Sequence, residues 1–144
     1  MRRTLKATLS AMLVSFSLTQ FSVNSSSESL PRYDCKTIKF RGTGDDDNDF
    51  IAKNERKLFT ILDNGKSLIV TMSSKEFESS TSIYHVLARN DDGVQAYQSG
   101  SLFMETMYLG FYSVGAHGGT YEASLNVLSS FFSNTWLLSC EKAP

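Results

Sequence analysis

Residues 57–72 have the sequence KLFTILDNGKSLIVTM, and this stretch decides the fold. Two apolar, β-prone runs flank Asn64 and Gly65. An Asn-Gly pair between such runs is the strongest short-range signal for a β-hairpin, because both central residues of its tight turn take positive φ. The stretch therefore predicts two antiparallel strands joined by a two-residue turn.

This hairpin assigns one face of the sheet to the core. The register of a two-residue turn predicts three cross-strand pairs: Asp63 with Lys66, Ile61 with Leu68, and Phe59 with Val70. Since side chains alternate along a strand, five apolar residues then share one face: Phe59, Ile61, Leu68, Val70 and Met72. We expect that face to be buried.

Short β-prone runs separated by turns continue on both sides of the hairpin. A second hairpin is predicted from residues 82–88 to 94–97, around a turn at 90–93. Further strands are expected at residues 33–40, 102–109, 121–127 and 135–140, with a polar loop at 73–82 and no convincing amphipathic helix. The sequence thus predicts an all-β fold, a small antiparallel up-and-down barrel of about eight strands, with a β-sandwich as the alternative.

Cys35 and Cys140 are the only two cysteines, and they lie near the two ends of this domain. In an eight-stranded meander the first and last strands run antiparallel, so both cysteines fall at the same end of the sheet. Closure into a barrel makes those strands neighbours and brings the cysteines within reach of one disulfide. Two free buried thiols are the alternative.

Residues 1–25 have the plan of a secretory signal peptide. Three of residues 1–6 are basic, and residues 7–23 carry no charge. We expect residues 26–32 to form a flexible lead-in and residues 33–144 to form the barrel domain, periplasmic or secreted, with no membrane span after processing. An N-terminal membrane anchor is the alternative.

The charge of the chain argues against nucleic acid as a partner. The chain carries 14 basic and 15 acidic residues. Three of the basic residues, Arg2, Arg3 and Lys6, lie in the first six positions, so the remainder has a net charge of −4. Binding to nucleic acid or to anionic lipid requires an excess of lysine and arginine.

The acidic stretch at residues 45–49 is the most distinctive local feature. Asp45, Asp47 and Asp49 occupy alternate positions, as oxygen ligands do in calcium loops. The EF-hand pattern then fails, because Phe50 stands where glycine is needed and Arg56 where the bidentate glutamate is needed. The favoured interpretation is a solvated acidic loop, and weak calcium binding is the alternative; no other cofactor is indicated.

His117 lies in a glycine-rich segment and is the candidate for a binding loop or for the base of a hydrolase. No nucleophile can be tied to it, so a flexible turn is the simpler interpretation. Six aromatic residues are candidates for lining a ligand cavity, although a filled core is favoured: Tyr84, Tyr97, Tyr108, Tyr112, Tyr121 and Trp136.

Residues 33–35 (YDC) and 134–140 (NTWLLSC) frame the domain. This frame resembles small uncharacterised exported bacterial β-rich proteins with an N-terminal and a C-terminal cysteine. The size, the export signal and the terminal bridge are also similar to those of periplasmic lysozyme inhibitors, which would imply a protein partner. Residues 98–101 share only a Ser-Gly pair with the inhibitory loops of that group, so no inhibitory residue is transferred.

These features together predict a binding protein rather than an enzyme. The leading hypothesis is an exported, non-enzymatic barrel that binds a protein or a small molecule through its loops, chiefly residues 42–54 and 112–120. A structural envelope protein and a hydrolase with a cryptic site at His117 are the alternatives.

Overall fold

The structure is a computed structural model that describes residues 29–43, 47–111 and 120–144. The predicted signal peptide therefore lies outside the described residues. The elements in chain order are β1 (Arg32–Gly42), α1 (Asn48–Glu55), β2 (Leu58–Asp63), β3 (Ser67–Ser73), β4 (Ser80–Asn90), β5 (Gly93–Ser99), β6 (Phe103–Gly110), β7 (Thr120–Ser129) and β8 (Ser133–Lys142).

The eight strands form a closed barrel in sequence order. Each strand pairs with the next in antiparallel orientation, and β8 pairs back onto β1. Closure leaves no unpaired sheet edge, which an open sheet would present to other chains. The predicted up-and-down barrel is confirmed, and the β-sandwich alternative is excluded.

A disulfide joins β1 to β8 at the closing seam. Cys35 and Cys140 are direct cross-strand partners with their Cα atoms 4.0 Å apart, and both side chains are buried inside the barrel. The predicted bridge is confirmed and the alternative of two free thiols is wrong.

The β2–β3 hairpin has the predicted faces but not the predicted register. Asp63 pairs with Leu68 and Ile61 with Val70, and the backbone N–H of Asn64 donates to the Ser67 carbonyl at 3.1 Å, so the turn is centred on Gly65 and Lys66 instead of Asn64 and Gly65. The reason is that only Gly65 takes positive φ, at 84°, whereas the predicted turn requires it at Asn64 as well. The partner of each residue therefore shifts by two positions, which keeps every side chain on its expected face.

The side chain of Asn64 stabilises this displaced turn. Its Oδ1 accepts hydrogen bonds from the backbone N–H groups of Lys66 (3.0 Å) and Ser67 (2.7 Å). The second hairpin has the predicted turn at residues 90–93, with Asn90 and Gly93 as its last paired residues.

A short helix, α1, corrects the expectation of a loop without helix between the first two strands. The Asp47 side chain caps it by accepting from the backbone N–H of Asp49 at 2.9 Å and of Phe50 at 3.4 Å. The Phe50 ring packs edge-on against Phe40, with centroids 5.7 Å apart. This contact anchors α1 over one end of the barrel. Among the described residues, no helix has the length and apolarity to cross a membrane.

The interior of the barrel is apolar in its middle layers and closed at the end remote from α1. There, Arg89 donates to the buried Asp63 carboxylate at 2.6 Å, and the rings of Tyr33 and Tyr121 meet edge to face at 5.1 Å. The buried hydrophobic residues are Tyr33, Cys35, Phe40, Phe59, Ile61, Leu68, Val70, Tyr84, Val94, Ala96, Met107, Leu109, Ala123, Leu125, Trp136, Leu138 and Cys140.

Replacing both cysteines with alanine is expected to lower the free energy of unfolding by roughly 4–5 kcal/mol, because the bridge closes a loop of 105 residues. Urea denaturation of the oxidised wild type and of the double variant measures the difference. Wild type unfolded with reductant present is the control and should approach the variant. A loss below about 1 kcal/mol would show that the seam is stable without its cross-link.

Candidate functional site

A cavity of about 140 Å³ opens at the α1 end of the barrel interior and is partly accessible to solvent. It combines apolar walls with several converging polar groups, as small-molecule sites do. Its lining residues are Lys57, Phe59, Val70, Met72, Ser80, Ser82, Tyr84, Glu105, Leu125, Val127 and Trp136.

The cavity exists because polar residues occupy inward positions at this end of two strands. On β4 the inward face carries Ser80 and Ser82 before the buried Tyr84, and on β6 it carries Glu105 before the buried Met107. Serine side chains are too small to fill the space that an apolar residue would occupy at the same position, and a carboxylate retains water or a polar partner. The core is therefore filled at one end and hollow at the other.

Trp136 lines the cavity and carries a buried, unsatisfied donor. The residue is 6% exposed and packs against Phe40 and Phe59, with ring centroids 5.0 and 6.4 Å away. Its Nε1 is buried and has no hydrogen-bond partner in the described part of the chain. Such a donor costs about 1–3 kcal/mol.

Lys57 lies at the same cavity, between two aromatic rings. Its Nζ is 4.2 Å from the centroid of Phe77 and 4.8 Å from that of Trp136. Burial lowers the pKa of the Lys57 ammonium. Its backbone is held in place by Thr37 of β1, whose Oγ1 donates to the Lys57 carbonyl at 2.9 Å.

Tyr84 and Glu105 form the acidic side of the cavity. The Tyr84 hydroxyl donates a hydrogen bond to the Glu105 carboxylate. Burial, and then the neighbouring carboxylate, raise the pKa of the Tyr84 phenol far above its ordinary value, so the phenol keeps its proton and remains a donor. The Glu105 oxygens retain acceptor capacity beyond this one bond.

The predicted site residues do not belong to this cavity. Asp47 caps α1 and Asp49 pairs with Lys53 on the same helix. Asp45 and His117 lie outside the described residues, so calcium binding and a role for His117 stay predictions. No group of three metal-ligating side chains occurs within residues 29–43, 47–111 and 120–144.

The five aromatic candidates that the structure describes divide between the two faces of the barrel. Tyr84 and Trp136 line the cavity, and Tyr121 packs at the opposite end. On the outer face, the Tyr97 ring contacts His85 at a tilted angle with centroids 6.2 Å apart, and the Tyr108 hydroxyl donates to the Asp92 carbonyl at 3.4 Å. Tyr112 lies outside the described residues. The expectation of a filled core holds at the closed end and is wrong at the α1 end.

Sequence reasoning missed Lys57, Glu105, Ser80 and Ser82. The available signal was strand alternation, because each of these residues is an even number of positions away from a buried residue. Three of them lie within the strand concerned, and Lys57 lies just before the start of its strand. Polar residues at inward positions mark a place where the core is not continuous.

Comparison of the chain with models of protein families, with curated proteins and with solved structures found no match. The fold and the disulfide therefore come from the structure alone, and the resemblances drawn from the cysteine frame do not identify a family.

Replacing Lys57 with methionine is expected to reduce the increase in the free energy of unfolding between neutral and alkaline pH. Because the folded protein binds the Lys57 proton less tightly than the unfolded chain, the free energy of unfolding rises with pH towards the ordinary lysine pKa of about 10.4. Chemical denaturation from neutral to alkaline pH measures the difference between wild type and variant. The exposed turn residue Lys66, replaced with methionine, is the control and should leave the rise intact. Parallel curves for wild type and the Lys57 variant would contradict the assignment.

Proposed function

We propose that this protein is an exported, non-enzymatic binding protein that holds one small molecule in the cavity at the α1 end of its barrel. The observation that carries this proposal is a partly open cavity lined by two charged side chains, Lys57 and Glu105, neither of which forms an ion pair within the described residues. A partly buried ion without an opposite charge costs stability, and a ligand that carries the opposite charge would relieve that cost.

The cavity volume limits the ligand to a small one. An apolar cavity of about 150 Å³ holds a molecule of the size of benzene, whereas drug-sized ligands need about 300 Å³ or more. At about 140 Å³, the cavity encloses a molecule close to benzene in size, and a longer ligand would extend through its open side.

Export is supported by the disulfide and by the pattern of residues 1–25. Structural disulfides form and persist in oxidising compartments, and a buried cross-link at the barrel seam is of that kind. A periplasmic or secreted location is therefore part of the proposal.

A second candidate function is binding to a protein partner through an apolar rim. Two hairpin turns meet at the α1 end because β6 pairs with β7. Leu102 in the first turn is 79% exposed and Phe131 in the second is 90% exposed. Phe103, Met104, Leu128 and Phe132 extend the same rim, and contiguous exposed apolar surface of this kind is typical of interaction sites.

Ser82→Leu is expected to abolish small-molecule binding by filling the cavity. Binding can be followed at the single tryptophan, since the indole N–H of Trp136 gives one resonance in a ¹H–¹⁵N spectrum. A panel of neutral, anionic, cationic and zwitterionic molecules of up to about ten heavy atoms should contain members that shift this resonance saturably in wild type.

Thr81→Leu is the matched control, because it adds the same side chain on the exposed face of the same strand. It should bind the panel as wild type does. An unchanged Trp136 resonance with every member of the panel would refute the proposed function, as would equal binding by the Ser82 and Thr81 variants.

Replacing Leu102 and Phe131 together with serine is expected to reduce binding of the apolar dye ANS and to change the free energy of unfolding by less than about 1 kcal/mol, since both side chains are exposed. Leu87→Ser on β4, 64% exposed and outside the rim, is the control and should leave dye binding unchanged. A loss of more than about 2 kcal/mol would mean that the rim residues pack onto the barrel instead of facing solvent.

A further inference from the structure

The two charged residues of the cavity come from opposite walls of the barrel. Lys57 immediately precedes β2, and Glu105 lies on β6. In a closed ring of eight strands taken in order, β2 and β6 are four strands apart and face each other across the interior. The cavity therefore has a cation on one wall and a carboxylate on the other.

Neither charge is neutralised by a protein partner in the part of the chain that the structure describes. The four ion pairs there involve neither residue. Lys57 faces two aromatic rings, and Glu105 accepts a hydrogen bond from a neutral phenol. Each charge thus lacks the opposite charge that a partly buried ion normally has.

The hydrogen-bonding groups divide in the same way as the charges. The unsatisfied donor, Trp136 Nε1, lies on β8, and the Lys57 ammonium stands over the ring of that tryptophan. The Tyr84 hydroxyl lies on the side of Glu105 and holds the carboxylate in place. Apolar side chains cover the wall between the two poles: Phe59, Val70, Met72, Leu125 and Val127.

We propose that the ligand is a small zwitterion, with a carboxylate and an ammonium group at the two ends of a short apolar chain. The carboxylate pairs with Lys57, and the ammonium pairs with Glu105. A ligand with one charge would meet its own sign on one wall, and a neutral ligand would leave both ions unpaired. This inference rests on the proposed function and names the class of molecule that the cavity takes.

A matched series of five-carbon probes tests the inference. The probes are 5-aminopentanoate, pentanoate, pentylamine and 1-pentanol, with shorter and longer ω-amino acids to vary the distance between the charges. Titrations are followed at the Trp136 indole resonance and by calorimetry. The best ω-amino acid should bind at least about tenfold more tightly than each singly charged or neutral probe of equal length.

Two variants test which residue binds each charged end of the ligand. Glu105→Gln keeps the shape and the acceptor for Tyr84 but removes the charge, and should weaken the ω-amino acid about tenfold while leaving pentanoate unchanged or tighter. Lys57→Met should weaken both the ω-amino acid and pentanoate but not pentylamine. Circular dichroism establishes that each variant is folded, and the wild-type probe series alone decides the question if one is not.

The outcomes separate the two proposals. Pentanol, pentanoate or pentylamine binding as tightly as every ω-amino acid would overturn the zwitterion and leave the small-molecule site in place. A Trp136 resonance unmoved by all of these probes and by the wider panel would overturn both.

Discussion

The pairing of β1 with β8, cross-linked by Cys35 and Cys140, is the contact on which the rest of the structure depends. Seven of the eight strand pairings join strands that are neighbours in sequence. The eighth joins the two ends of the domain and carries the greatest loop-closure entropy. The disulfide lowers this entropy cost of folding, because it keeps the same loop closed in the unfolded chain. Without this pairing the sheet would have two free edges and no enclosed interior, so the cavity is a direct consequence of closure.

The interior of the barrel is filled at one end and holds a cavity at the other. The end remote from α1 is closed by the Arg89–Asp63 ion pair and by packed tyrosines, and it satisfies its buried polar groups internally. The α1 end holds a cavity with a desolvated ammonium and an unsatisfied indole N–H. Proteins depart from a consistent, satisfied core chiefly where function requires it. The contrast between the ends, within one small barrel, is the physical basis for assigning ligand binding to the α1 end.

Strand alternation and turn chemistry were enough to predict most of the fold from the sequence, but not the site. The inward face of the Phe59–Val70 hairpin, the turn at Asn90–Gly93 and the bridge between the terminal strands all follow from local signals. The exact β2–β3 register did not, because it depends on whether Asn64 takes positive φ, and its side chain instead stabilises a turn centred one residue later. Helix α1 is short and is held by its Asp47 cap and by the contact of Phe50 with Phe40, which is a tertiary interaction. Lys57 and Glu105 are far apart in sequence, and only barrel closure brings them to one cavity.

Nuclear Overhauser contacts across the closing seam test the central claim most directly. The account predicts strong cross-peaks between the Hα atoms of Tyr33 and Lys142 and between those of Cys35 and Cys140 in the oxidised protein, because these residues are directly opposed on β1 and β8. Cross-peaks between each pair of neighbouring strands from β2 to β7, without any between β1 and β8, would contradict it. The sheet would then be open and would enclose no cavity.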